Sequence, residues 1–167
     1  MDANLERALV DESGPSLSRG METRELQVSY SANEILKGIT LNARRGEILS
    51  IIGPAGAGKT TFLRCLNRML DLDLDWHISG KVLLDGQPIN GKDVPVSSLR
   101  RKIGMVFSVP VTLPITIQRN LAFGLNLERE GKNRRDERIE KALREACLWD
   151  EVKDRMNEPA GNLSGGQ

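Results

Sequence analysis

Apolar and polar residues alternate at positions 26–30, in the order Leu-Gln-Val-Ser-Tyr. A period of two is typical of a strand with one buried face. The polar residues 31–34 then predict a turn, and the run from Ile35 to Leu41 predicts a second strand. Residues 1–21 have no such period, and we interpret them as a variable tail.

Two further runs are almost wholly apolar instead of alternating. They lie at 48–52, which is rich in β-branched residues, and at 103–107. Short runs of this kind are typical of strands buried on both faces of a parallel sheet. Residues 80–89 instead predict a strand that ends in a hairpin-type turn at Asp85-Gly86.

Helical spacing dominates the rest of the chain. It predicts an amphipathic helix from Lys59 to about Leu70, and a short helix that Thr116 caps and that runs through Phe123. An apolar stripe then predicts a third helix; its residues are Ile139, Ala142, Leu143, Ala146 and Cys147. Strands therefore come first along the chain, and a mostly helical segment follows from about Ser108 onward.

Composition restricts the function. The chain has 167 residues, a length typical of one domain, with 39% hydrophobic and 28% charged residues, as in a soluble globular protein. A net charge of +1 gives no general electrostatic attraction for the phosphate backbone of a nucleic acid, so a nucleic-acid partner is not expected. No apolar stretch suits a membrane span, and the acidic N-terminus is unlike a signal peptide. Two distant cysteines, Cys65 and Cys147, favour reduced thiols and a cytoplasmic location.

A complete G-x-x-x-x-G-K-[ST] motif follows the apolar run at 48–52. Its residues are Gly53, Pro54, Ala55, Gly56, Ala57, Gly58, Lys59 and Thr60, and Thr61 comes next. Such a loop points backbone N–H groups at a phosphate, and the helix that starts there adds its positive end. Lys59 would hold the β- and γ-phosphates of ATP, and Thr60 would bind Mg²⁺. The alternative is a glycine-rich turn that matches by chance.

A second motif consists of the last five residues: Leu163, Ser164, Gly165, Gly166 and Gln167. A Ser-Gly-Gly segment alone is most often a flexible loop. About a hundred residues after a phosphate loop and behind a helical segment, it resembles the signature motif of the ATP-binding-cassette (ABC) ATPases. The resemblance covers about Glu25 to Gln167. It implies an α/β fold, with a P-loop core and an antiparallel β subdomain at 22–107 and a helical subdomain at 108–167.

Further positions resemble the same family. Tyr30 is similar to the family's aromatic residue that stacks on adenine, with packing at a strand end as the alternative. Several segments resemble the phosphate-import branch; they lie at 67–69, 104–107, 114–117, 120–125 and 148–155. Trp149 and Phe123, in the last two, are also expected to pack in the core.

The resemblance implies ATP and Mg²⁺ as ligands and a head-to-tail dimer as the working assembly. Each ATP would lie on one subunit's phosphate loop and be covered by the signature motif of a second ATP-binding subunit. The implied partners are integral membrane permease subunits and, indirectly, a solute-binding protein. The implied location is peripheral, on the cytoplasmic face of the cell membrane.

The sequence departs from the family pattern in two ways. Ser108 stands where the family has a Gln that touches Mg²⁺ and the attacking water. Its hydroxyl is a candidate Mg²⁺ ligand, or else Ser108 is only a polar loop residue. The family's Asp and Glu for Mg²⁺ and water activation, and its His for the γ-phosphate, have no counterpart in the 167 residues. We expect no catalytic residue here, an incomplete sheet, weak hydrolysis and a fragment of a longer cassette.

Charged residues have plainer interpretations. The tract at 128–145 is expected to be a solvated helix face with i,i+4 pairs, with a partner contact as the alternative. Residues 100–102 and His77 are expected at the surface. The leading hypothesis is the ATP-hydrolysing subunit of a phosphate importer. A soluble ABC-type regulatory protein and a non-hydrolysing ATP-binding fragment remain as alternatives.

Overall fold

The computed structural model describes residues 20–91, 93–109, 111–126 and 132–167. Most of the expected tail at 1–21 therefore lies outside the described residues. The chain divides into two compact units, the first ending at Met105 and the second beginning at Val106. Among the described helices, none combines the length and the apolar character that crossing a membrane requires.

Four antiparallel strands form the sheet of the first unit. They are β1 (Met21–Tyr30), β2 (Asn33–Ala43), β3 (Trp76–Leu84) and β4 (Gln87–Pro88), in the spatial order β2-β1-β3-β4. The alternation at 26–30 correctly predicted β1, because Leu26 and Val28 are buried between exposed neighbours. The predicted second strand and the turn at Asp85-Gly86 are also confirmed, and both turn residues have positive φ, 53° and 80°.

Two helices and a 3₁₀ turn pack beside this sheet. They are α1 (Lys59–Leu66), the 3₁₀ helix Met69–Leu72, and α2 (Val96–Lys102). The predicted helix begins where expected but ends earlier than Leu70, since Arg68 has a left-handed φ of 58°. Buried residues of the strands and helices share one core cluster: Leu26, Val28, Leu36, Phe62, Cys65, Leu70, Val82, Ile89 and Leu99.

Arg100 corrects one surface prediction. Its guanidinium donates to the carbonyl oxygens of Asn67 at 3.2 Å and Arg68 at 2.7 Å. These carbonyls lie just beyond the last turn of α1, where backbone acceptors have no helical partner. Arg100 is therefore half-buried and ties α2 to the end of α1, whereas Arg101 and Lys102 are exposed as expected.

The predicted strands at 48–52 and 103–107 do not form in the described part of the chain. Ile48 and Ile52 are 93% and 88% exposed, and Val106 is 97% exposed. Neither segment pairs with any of the four strands of the sheet. A parallel strand is stable only when neighbouring strands satisfy its backbone and helices cover its faces. Apolar composition alone therefore does not form these strands, although Ile51 and Ile103 are partly buried against the core cluster of the first unit.

The second unit is helical. It contains α3 (Ile117–Asn126), α4 (Lys132–Glu145), α5 (Trp149–Val152) and the 3₁₀ helices Lys153–Arg155 and Ala160–Asn162. Thr116 caps α3 as predicted, because its Oγ1 accepts the Arg119 N–H at 3.3 Å. The buried core of this unit consists of Ala122, Ile139, Leu143 and Val152.

The apolar stripe of α4 is correct only in part. Ile139 and Leu143 are buried, whereas Ala142, Ala146 and Cys147 are exposed. Core packing is also wrong for Phe123, which is 55% exposed.

Trp149 is half-buried, with the Arg144 guanidinium 5.1 Å from its ring centroid. The expected i,i+4 ion pairs are present on α4, as Glu140–Arg144 and Lys141–Glu145. The start of the charged tract, 128–131, lies outside the described residues.

Candidate functional site

The glycine-rich loop leads directly into α1. Gly56 and Gly58 have left-handed φ values of 79° and 85°, which residues with a Cβ adopt at a cost. The loop closes on itself where the Ala57 N–H donates to the Pro54 carbonyl oxygen at 3.3 Å. The first helical bond follows, from the Phe62 N–H to the Gly58 carbonyl oxygen at 2.8 Å.

Gly58 is also required by packing. A Cβ at this position would lie 2.8 Å from Cδ2 of Leu36 and 3.3 Å from Cγ2 of Ile35. Both residues belong to β2, so the β-hairpin packs directly against the N-terminus of α1. The position of the loop is thus set by the buried face of the sheet.

Lys59 folds back over the loop. Its Nζ donates to the carbonyl oxygens of Gly53 at 2.7 Å and Pro54 at 2.6 Å. These bonds satisfy the ammonium group while it is half-buried. A phosphate oxygen is a charged acceptor and binds an ammonium more strongly than a carbonyl does. The lysine is therefore placed where it can exchange loop carbonyls for an anion.

The first turn of α1 suits an anion and its Mg²⁺. It carries Thr60 and Thr61, of which Thr60 is exposed, and no acidic residue opposes the positive helix end. Among the described residues, no group of three or more His, Cys, Asp or Glu side chains is placed to hold a metal. The donor set at the loop therefore fits Mg²⁺ that is held by the Thr60 hydroxyl together with phosphate oxygens and water.

Tyr30 is the last residue of β1, the strand that pairs with β2. Val28 pairs with Leu36, the residue that contacts Gly58, and Tyr30 is two positions further along the strand. Two positions correspond to roughly 7 Å. The ring is 37% exposed, so an aromatic surface remains available.

Two residues that sequence reasoning missed surround the Tyr30 ring. The ring centroid of Trp76 is 4.9 Å away, with the planes tilted by 55°. The Tyr30 hydroxyl donates to Oδ2 of Asp75 at 3.5 Å. The carboxylates of Asp73 and, next, Asp75 raise the pKa of the Tyr30 phenol, because negative charge opposes its ionisation. Trp76 is the first residue of β3, four positions before the start of the predicted strand at 80–89, so no signal in the sequence indicated this contact.

The signature residues form a small hydrogen-bonded turn in the second unit. The Ser164 N–H donates to Oε1 of Gln167 at 3.0 Å, and the Gln167 N–H donates to the Ser164 hydroxyl at 3.4 Å. Nε2 of Gln167 donates to Glu151 at 2.7 Å, a contact that the sequence did not predict. Leu163 packs against the helical core, while Gly165 and Gly166 are exposed.

The remaining candidates are at the surface. Ser108 is exposed and follows Phe107, which is 46% exposed. His77 is exposed on β3, as expected, with its Nδ1 3.2 Å from the Asp75 carbonyl oxygen.

Comparison with known proteins matches residues 36–167 to the family described as ABC transporter. Three curated relatives are each named Phosphate import ATP-binding protein PstB and each align with 88% of this chain. The relative from Pseudoalteromonas translucida is 45% identical and the one from Colwellia psychrerythraea 46%, and the chain covers 54% and 53% of their lengths. The relative from Pyrococcus furiosus is 44% identical, with 59% of its length covered.

Solved structures agree on the fold. One is cbiO1 from Clostridium perfringens, part of the ABC transporter complex cbiONQ, with a TM-score of 0.74 and 28% identity over 90% of this chain. Another is a bacterial Atm1-family ABC exporter with ATP bound, with a TM-score of 0.70 and 29% identity over 90% of this chain. The chain covers 57% and 26% of these two proteins, respectively, and spans about half the length of the curated relatives it matches.

Proposed function

This chain belongs to the ABC transporter family, and from that premise we propose that it is the ATP-binding part of an importer's ATPase subunit, with inorganic phosphate as the solute. The observation that carries ATP binding is the glycine-rich loop, with Lys59 held over it at the N-terminus of α1. The phosphate assignment is supported by the names of the relatives.

Different residues are assigned to the phosphates, to Mg²⁺ and to the adenine. Backbone N–H groups from Ala55 to Thr60 would surround the phosphates, and Lys59 would neutralise part of their charge. Thr60 contributes its hydroxyl to Mg²⁺, and Thr61 extends the first turn of the helix. The exposed ring of Tyr30 stacks on adenine in this proposal, because an aromatic ring can stack on the flat face of any base.

The signature turn acts on a second subunit in this proposal. Ser164, Gly165 and Gly166 offer a hydroxyl and unhindered N–H groups, and these suit a γ-phosphate that another subunit holds. We propose, from membership of the ABC transporter family, that the chain works in a head-to-tail dimer at the cytoplasmic face of the membrane, in contact with permease subunits.

Titration with a fluorescent ATP analogue in Mg²⁺ tests the binding step. We expect saturable binding that unlabelled ATP displaces, and its loss in Lys59→Ala. Lys81→Ala is the matched control, because Lys81 is an exposed lysine of the same unit on β3. Equal affinity of Lys59→Ala and the parent chain would refute the assignment of the loop.

Co-purification tests which class of membrane subunit the chain binds. The chain is co-expressed with the membrane subunits of a phosphate importer or, in parallel, with those of an ABC exporter. We expect it to be retained by the importer subunits alone. Retention by neither set, with ATP binding intact, would favour a soluble regulatory cassette instead.

A further inference from the structure

The Tyr30 ring has a fixed environment on one side. Tyr30 and Trp76 are opposite each other in the β1–β3 ladder, and their ring centroids are 4.9 Å apart. The next residue, Ser31, donates its N–H to the Asp75 carbonyl oxygen at 2.9 Å. Trp76, the first residue of β3, thus contacts the ring of Tyr30, and the preceding residue, Asp75, binds the backbone that follows Tyr30.

Trp76 is itself held by the core. It is half-buried and packs against the core cluster of the first unit, whereas Tyr30 is 37% exposed. A large ring anchored in the core restricts the rotamers of an exposed ring beside it. Tilted aromatic pairs at this separation are also attractive beyond the area that they bury.

A restricted ring matters for stacking. A tyrosine that is free to rotate loses side-chain entropy when it stacks on a base, which lowers the affinity. A tyrosine already held in one orientation loses less. The Asp75 carboxylate, which accepts from the Tyr30 hydroxyl at 3.5 Å, adds a second restraint at the far end of the ring.

We propose that Trp76 is a positioning residue for base recognition: it holds the Tyr30 ring in the orientation that stacks on the adenine of ATP. This inference rests on the proposed ATP-binding function, and it adds a residue outside the phosphate loop. Trp76 acts through Tyr30 and does not itself bind the phosphates.

The test compares two ligands by calorimetry on the full chain: MgATP, and magnesium tripolyphosphate, which has no base. In Trp76→Leu we expect affinity for ATP to fall about fivefold, because an aromatic pair contributes on this scale. Affinity for tripolyphosphate is expected to change less than twofold. Trp76→Phe keeps an aromatic ring and is expected to restore most of the affinity for ATP.

A double variant tests whether Trp76 acts through Tyr30. Tyr30→Leu is expected to weaken ATP and not tripolyphosphate, and Tyr30→Leu with Trp76→Leu is expected to weaken ATP no further. Asp75→Ala changes an exposed side chain, and it is expected to lower the ratio of ATP to tripolyphosphate affinity by about twofold. Thermal unfolding of each variant establishes the temperature at which all of them are folded.

The outcomes separate the two proposals. Equal weakening of both ligands in Trp76→Leu, or additive losses in the double variant, would overturn the positioning role and leave ATP binding in place. If Trp76→Leu does not fold, the same comparison in Trp76→Met decides, because methionine keeps a large apolar side chain at this half-buried position but has no aromatic ring. Absence of binding by both ligands in the parent chain would overturn the proposed function, and this inference with it.

Discussion

The side-chain amide of Gln167 donates to a carboxylate oxygen of Glu151 at 2.7 Å. Through its other side-chain atom, Oε1, Gln167 accepts the Ser164 N–H at 3.0 Å. One side chain therefore connects α5 to the turn that presents Ser164. Because Ser164 is the hydroxyl assigned to a second subunit's γ-phosphate, Glu151 helps to set the shape of the signature turn.

Replacing Glu151 with alanine should loosen that turn. Loss of one hydrogen bond of about 1 kcal/mol predicts roughly fivefold faster amide exchange at Ser164. Hydrogen exchange followed by mass spectrometry or NMR measures this directly. Glu145→Ala, which removes an exposed partner of Lys141 on α4, is the control and should leave Ser164 unchanged. Identical exchange in Glu151→Ala and the parent chain would show that Glu151 does not support the turn.

Substitutions at two glycines of the phosphate loop distinguish the cost of a strained backbone from the cost of a steric clash. Both Gly56 and Gly58 have positive φ, but a Cβ meets nothing within 4 Å at Gly56 and lies 2.8 Å from Leu36 at Gly58. Gly56→Ala should cost about 1 kcal/mol of unfolding free energy. Gly58→Ala should cost a further 1–3 kcal/mol, approximately, because Leu36 must move. Urea unfolding measures both values, and equal costs would contradict the packing of β2 against the loop.

The local parts of this fold and site could be predicted from the sequence. The alternation at 26–30 reports one buried face directly, and the phosphate loop is a contiguous motif that precedes a helix. The runs at 48–52 and 103–107 report only apolar composition, which does not reveal whether neighbouring strands are present.

Contacts between distant segments could not be predicted. Trp76 lies beside Tyr30, Glu151 beside Gln167 and Arg100 at the end of α1 because of how the segments pack. No periodicity along a single segment encodes such pairs. The sequence therefore predicts the phosphate loop of the site. The residues that support the site are identified only from the structure.

The two cysteines should differ strongly in reactivity. Burial, with a smaller effect of the Asp71 charge, raises the pKa of the Cys65 thiol to about 12, while Cys147 is exposed. Only thiolates react with disulfide reagents, so at pH 8 Cys147 should react in seconds to minutes and Cys65 only after unfolding. A dithionitrobenzoate time course with Cys147→Ser as the control measures this. Rapid reaction of two thiols per native chain would contradict the burial of Cys65.

The same shift predicts a pH dependence of stability. An unfolded chain releases the Cys65 proton near pH 9, whereas the folded state retains it up to about pH 12. The contribution of the buried thiol is therefore complete below about pH 9 and is lost progressively as the pH rises toward 12. Cys65→Ala should remove this part of the decline in urea midpoint above pH 9. An unchanged alkaline decline in Cys65→Ala would contradict it.

Cys147 ends α4 in a conformation that favours glycine. Its φ is 57°, and the Leu148 N–H donates to the Leu143 carbonyl oxygen at 2.8 Å while the Cys147 N–H donates to that of Arg144 at 3.0 Å. This is a Schellman motif. Because the Cys147 side chain is exposed, Cys147→Gly should raise the unfolding free energy by about 0.5–1 kcal/mol. Thermal unfolding should show a higher midpoint, and Cys147→Val, which is β-branched, should lower it.

The most direct test of the central claim is calorimetric titration of MgATP into the parent chain and into Lys59→Ala. The account predicts a saturable heat with one ATP bound per chain, because each chain carries one phosphate loop. It predicts no saturable heat in Lys59→Ala, whose loop lacks the ammonium group now bonded to Gly53 and Pro54. No saturable heat in the folded parent chain, or the same affinity in both proteins, would contradict the account.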